Sequence, residues 1–118
     1  MSGALFSNTR TGPAGLVFIS GQVPVDDAGE LVTGGMTEQA NAVFDRLADR
    51  LAEHGGTLEQ IVKITYFLTD LAQLEEFRQV LRSRLTDPKP AASLVEVSAL
   101  VRPEFLLEIE AIAVVPES

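Results

Sequence analysis

The segment Leu106-Leu107-Glu108-Ile109-Glu110-Ala111-Ile112-Ala113-Val114-Val115 constrains the fold more than any other part of the chain. It is apolar apart from two glutamates, rich in β-branched residues, and without a helical period, so it reads as a strand. Side chains alternate faces along a strand, which puts Glu108 and Glu110 on one face with Leu106, Ile112 and Val114. The remaining face is wholly apolar. A strand of this kind belongs inside a sheet that is covered on both sides. A carboxylate in apolar surroundings is costly unless it is paired, hydrogen-bonded or protonated. Two readings follow. The face is partly solvated or meets cations, or one carboxyl has a raised pKa in a cleft and handles protons or water.

The rest of the chain supplies what such a strand packs against. Leu16–Ser20 (LVFIS) reads as a strand, and a shorter one is expected near Ala4–Asn8. Gly21, Pro24 and Asp26-Asp27-Ala28-Gly29 then bend the chain. Met36, Ala40, Val43, Phe44, Leu47, Ala48 and Leu51 recur at three- and four-residue spacing, which predicts an amphipathic helix stopped by Gly55-Gly56. Thr57-Leu58-Glu59-Gln60 has the form of a capping box and predicts a short turn. Ile61–Leu68 (IVKITYFL) is strand-like. Asp70 is placed to cap a second helix with Leu71, Leu74, Phe77, Leu81 and Leu85 on its apolar stripe, ended by Pro88 and Pro90. Ser93–Val97 predicts another strand, and Leu100–Glu104 a turn before the final one. The order ββαβαββ makes an α+β domain, a mixed sheet with two helices as crossovers on one face. Two helices cover one side only. The uncovered side calls for a second subunit, so the burial pattern alone predicts an oligomer.

Composition narrows the functional classes. The 118 residues suffice for a single domain, 1–118, and no apolar run reaches the ~20 residues of a membrane span. No basic-then-apolar leader is visible, and the expectation is a cytoplasmic protein. With no cysteine, disulfides, thiol nucleophiles and thiolate metal sites are excluded. One histidine excludes a multi-histidine metal centre. The formal charge of −8 disfavours nucleic acid and anionic membranes as partners.

Few other residues invite a chemical role. His54 falls in the expected last turn of the first helix, where a cation is favourable in itself. Gly34-Gly35 precedes that helix without any phosphate-loop pattern and reads as a connection. Arg78 and Arg82 lie four apart on the second helix, after Glu75 and Glu76. The plain reading is a solvated face with helix ion pairs; the sharper one points Arg78 at a neighbouring subunit to bind a substrate anion.

From Ser20-Gly21-Gln22-Val23-Pro24-Val25-Asp26 onward the chain resembles the Rid family (YjgF-type, reactive intermediate deaminases). Gln39-Ala40, the segment Val62–Leu71, Pro90-Ala91-Ala92-Ser93 and Glu108-Ile109-Glu110-Ala111-Ile112-Ala113 match the family's further motifs in order. The resemblance implies a chorismate mutase-like fold and a homotrimer with ligand clefts between subunits. It also implies cofactor-free hydrolysis of 2-imino and 2-enamino acids to 2-oxo acids and ammonia. Glu108 matches the catalytic glutamate, and Gly21 the glycine that lends backbone to the cleft. Phe6 is nearest to a tyrosine of the family, and backbone at Ala92, Ser93 and Leu94 would orient the ligand. Arg78 aligns with an asparagine of the deaminases.

One departure stands out. Ala92 occupies the position of the arginine that clamps the substrate carboxylate. A charge-assisted guanidinium–carboxylate pair is worth roughly 1.5–3 kcal/mol, or about ten- to a hundredfold in binding. The chain is therefore identified as a divergent member. Three functions are expected in descending order: hydrolysis of an imine, enamine or related small compound with Glu108 handling water or a proton; non-catalytic small-molecule binding by a regulatory trimer; and RNA cleavage or translation inhibition. The last is least favoured because no basic, aromatic-rich stripe exists.

Overall fold

The computed structural model describes residues 5–116. Five strands form one sheet in the order β1-β2-β5-β3-β4, where β1 is Thr9–Thr11, β2 Leu16–Gln22, β3 Ile61–Leu68, β4 Ala91–Glu96 and β5 Leu107–Val114. Helix α1, Met36–Ala52, joins β2 to β3, and α2, Leu74–Arg84, joins β3 to β4. Only β3 and β4 run parallel; β5 is antiparallel to both of its neighbours. The doubly apolar C-terminal strand thus occupies the centre of the sheet, inserted between the two strands that α1 connects.

Both helices pack on one face. Phe44, Leu47 and Leu51 of α1 and Phe77 and Val80 of α2 bury against Val17, Ile19, Ile64, Leu68, Leu107 and Ile109. Tyr66 joins this core with its ring edge-on to Phe77, centroids 5.0 Å apart, and burial pushes its hydroxyl pKa up to about 12. Arg84 fastens α2 to α1 through Asp45 (2.8 Å) and Asn41 (3.2 Å). After α1, Gly55 takes φ +75° and the Gly56 N–H returns to the Leu51 carbonyl at 2.9 Å, the glycine stop that the sequence predicts.

The opposite face carries Glu108, Glu110 and Ile112 of β5 together with Phe18, Val62 and Val95, the last three 42%, 47% and 44% exposed. The core residues of both helices lie on the other side of the sheet.

Four local expectations need correction. The first strand is Thr9–Thr11, not near Ala4–Asn8, because the N–H and C=O groups opposite Val17–Ile19 recruit residues 9–11; Ala4 itself lies outside the described residues. Asp70 caps a short 3-10 turn, Leu71–Gln73, and α2 begins only at Leu74, which leaves Leu71 off the stripe and 40% exposed. The fourth strand starts at Ala91, since its register is set by β3 from Lys63 onward. Helix α1 ends at Ala52, so His54 sits in the turn beyond it, its Nε2 2.9 Å from the Thr9 hydroxyl.

Candidate functional site

The alternation of β5 sends Glu108 and Glu110 to the open face, opposite Phe67 and Thr65 of β3. On the other side of β5 the register with β2 slips: Ile19 faces Ala111, but Gln22 faces Ile109. Three steps on β2 match two on β5, which is a β-bulge at Ser20-Gly21. The bulge presents both residues to the two glutamates. It also returns the Gln22 side chain to the helix side, where it is buried. There Gln22 donates to the Ser20 carbonyl (2.9 Å) and accepts from Arg50 (3.4 Å), so it ties the bulge down from behind.

Gly21 is required by contact. A Cβ at this position would lie 2.6 Å from Cδ of Glu108 and closer still to its carboxylate. The Glu108 carboxyl therefore rests on bare backbone. The cleft around it has a volume of about 480 Å³ and is walled by Phe6, Val23 and Val101, with Ser20, Gly21, Glu108 and Glu110 on its floor. The Glu108 pKa is raised, first by burial of its half-covered carboxyl and then by the negative charge of Glu110. The arrangement yields a carboxyl that holds its proton at higher pH than an exposed glutamate, with nearby backbone and an apolar wall. Such a group can deliver and recover a proton.

Gln39 is a positioning residue that the sequence reading passed over as chemistry. It is 3% exposed on α1, donates to the Glu104 carbonyl (3.0 Å) and accepts from the Leu106 N–H (2.8 Å). These two bonds straddle the buried Phe105 and fix the entry of β5, two residues ahead of Glu108. The available signal was a polar residue at an interior position of the α1 stripe, between Met36 and Ala40. Ser20, Val23 and Val101 were also missed as cleft residues. Val101 gives no sequence signal, since it stands 82% exposed in an irregular loop.

Among the described residues no group of three or more His, Asp or Glu side chains is placed to hold a metal ion. No described helix is long and apolar enough to cross a membrane.

The family model described as Endoribonuclease L-PSP matches residues 3–115. The chain belongs to the Rid (YjgF) family. Among Rid-type relatives, a RutC family protein of Pyrococcus abyssi is 38% identical over 98 residues, covering 82% of this chain and 76% of that one. A mouse protein named 2-iminobutanoate/2-iminopropanoate deaminase is 34% identical over 99 residues, 83% of this chain and 73% of its own length. The crystal structure of RidA from an Antarctic Psychrobacter superposes with a TM-score of 0.88 at 31% identity, covering 98% of this chain and 92% of that one.

Measured against the Rid motifs, one chain brings together Phe6, Gly21 and Glu108. It does not bring Ala92, Ser93 and Leu94 to them. Those residues lie on β4, the edge strand, separated from β5 by β3. Arg78 is exposed on α2, on the helix side of the sheet, and does not line the Glu108 cleft. His54 is likewise remote from the cleft, beside Thr9.

Proposed function

We propose that this chain hydrolyses a small imine or enamine, with Glu108 as the proton-handling group, in clefts between subunits of a homotrimer. The observation that carries the reading is Glu108 itself. It is a half-buried carboxyl of raised pKa, lying on Gly21 beside an apolar wall, and the charge that adds to the shift is another carboxylate. The deaminase name of the mouse relative supports the reaction class. The uncovered apolar side chains of the sheet support an assembly. The separation of Ala92–Leu94 from Glu108 supports a cleft completed by a neighbouring copy's β4 edge.

The chemistry needs one proton relay. Protonated Glu108 gives its proton to the imine nitrogen, which makes the carbon electrophilic. Water adds its oxygen to that carbon, the C=N π pair moves to nitrogen, and the Glu108 carboxylate takes the proton that water releases. The carbinolamine then re-forms a carbonyl as the C–N bond breaks. Glu108 supplies the proton that lets nitrogen leave as ammonia and recovers the hydroxyl proton. Imine and water become carbonyl compound and ammonia, and the enzyme is unchanged. The raised pKa favours the protonated carboxyl with which this cycle begins and to which it returns.

Ala92 sustains a second reading, a trimer that binds such a compound without turning it over. One experiment separates them. Purified protein is added to imines generated in place by an amine or amino acid oxidase, and carbonyl formation is followed. Turnover that Glu108→Gln lowers by two orders of magnitude or more is expected. Acceleration that survives Glu108→Gln undiminished would refute the role of Glu108, and ligand-induced stabilisation without turnover would establish the binding reading.

A further inference from the structure

The chain has nine Lys and Arg residues, and six of them (Arg46, Arg50, Arg82, Arg84, Lys89 and Arg102) make ion pairs. Within a single chain, among the described residues, Arg10, Lys63 and Arg78 make none. Two of these three, Arg10 and Lys63, line the same cleft on the open face, about 370 Å³ in volume, with Ser20, Thr65 and Glu110. In a chain of charge −8 this is a local excess of two cations over one carboxylate.

Lys63 is half-buried, and its ammonium meets only neutral acceptors: the Ile64 carbonyl at 3.2 Å, the Thr65 hydroxyl at 3.2 Å and the Ser93 hydroxyl at 3.5 Å. A partly desolvated ammonium without a counter-charge is an unfavourable arrangement that an anion relieves. The Thr65 and Ser93 oxygens accept from Lys63, so their own hydrogens remain free to donate to that anion. A register slip in β3 helps build the place. Ile61 faces Ala113 and Lys63 faces Ile112, so two residues match one step and Lys63 joins the open face.

This cleft adjoins the Glu108 cleft, for Ser20 and Glu110 line both. Glu108 lies four residues along β5 from Ile112, the register partner of Lys63, which is about 13 Å of strand. We propose that Arg10 and Lys63 form an anion subsite at the far end of the groove. There it takes the carboxylate of an elongated ligand whose reacting carbon sits at Glu108. The anion clamp has in effect moved away from the reacting carbon, and Ala92 ceases to be a defect. The ligand class is an imine whose carboxylate is remote, not attached to the imine carbon. Glu110, between the two ends, disfavours a second negative charge along the chain of the ligand. This substrate class rests on the imine-hydrolase reading above; the anion subsite itself does not.

The test has two arms. In the first, acetate and inorganic phosphate are titrated into the protein at low salt, followed by NMR shifts of the Lys63 and Thr65 amides. Saturable binding is expected, weakened about ten- to a hundredfold by Arg10→Ala or Lys63→Met and largely restored by Lys63→Arg. In the second, turnover is compared for the ω-imino acid made by oxidising ω-aminohexanoate and for the imine made from hexylamine. Lys63→Met should raise KM for the acid by a similar factor and leave the neutral imine unaffected. Equal affinity for anions in wild type and both variants overturns the subsite. So does a change of assembly in place of anion affinity, since the two cations would then serve a neighbouring copy's carboxylates. Anion binding at Lys63 without turnover of either imine retains the subsite and rejects the hydrolase reading. A preference for the neutral imine in an active wild type rejects the substrate class.

Discussion

Substituting Gly21 by alanine should separate the architecture of the cleft from its chemistry. The new Cβ would stand 2.6 Å from Cδ and 3.0 Å from Cγ of Glu108, too close for either atom to stay. The obstructing atoms belong to a flexible side chain, so relief comes by turning Glu108 out of its present rotamer, at a cost of about 0.5–1.5 kcal/mol. Gly21 is not in the left-handed region, and an alanine there gains about 0.4–1 kcal/mol by restricting the unfolded chain. The two terms nearly cancel. Stability of Gly21→Ala should therefore stay within about 1 kcal/mol of wild type, while displacement of the carboxyl by an ångström or more lowers turnover about a hundredfold. A double-mutant cycle with Glu108→Ala isolates the contact. In that background the three atoms nearest the new methyl are gone, and Gly21→Ala becomes stabilising by about 0.4–1 kcal/mol. Urea unfolding at one fixed protein concentration measures all four corners. If Gly21→Ala has the same effect with and without the Glu108 side chain, the two residues are not in contact and the steric account fails.

Two further outcomes follow from groups already described. Gln39→Met removes the partners of the Glu104 carbonyl and the Leu106 N–H while keeping the side-chain volume; with each orphaned group costing about 1–3 kcal/mol, urea unfolding should show a loss of about 2–6 kcal/mol, and a change under about 0.5 kcal/mol would mean that Gln39 does not hold the entry of β5. The raised pKa of Glu108 has a sign in stability: the folded state binds the proton more tightly than the unfolded chain, so stability falls as pH rises from the ordinary glutamate range through the folded pKa. Glu108→Gln should accordingly be more stable than wild type at neutral pH and lose that advantage below the ordinary glutamate value of 4.5, and a pH-independent difference between the two would contradict the raised pKa.

The strands and helices that bury one continuous stripe were legible, since hydrophobic period and length decide them. Leu107–Val114 and Met36–Ala52 lie within a residue or two of expectation. The facing of Glu108 and Glu110 was legible for the same reason, because alternation along a strand leaves no freedom. Features that depend on a partner distant in sequence were not. Thr9–Thr11 has no apolar pattern and becomes a strand only through Val17–Ile19. The bulge at Ser20-Gly21 is a mismatch between two strands, so neither strand contains it alone. Gln39 reads as a polar break in a helix stripe until its backbone partners, 65 and 67 residues onward, are in place. Motif resemblance singled out Gly21, whereas the reason for a glycine, the Glu108 carboxyl lying across it, is visible only in three dimensions.

The central place of β5 has a consequence for how the protein comes into being. Its neighbours β2 and β3 share no ladder with each other, and β5 is the last of the five strands to be synthesised. Until Leu107–Val114 arrives, the earlier strands form two separate fragments, β1 with β2 and β3 with β4. The strand that closes this gap is the one that carries Glu108. Completing the sheet and setting the Glu108 carboxyl on Gly21 are thus a single event, and a nascent chain short of β5 has neither a continuous sheet nor the cleft floor that Glu108 and Glu110 form.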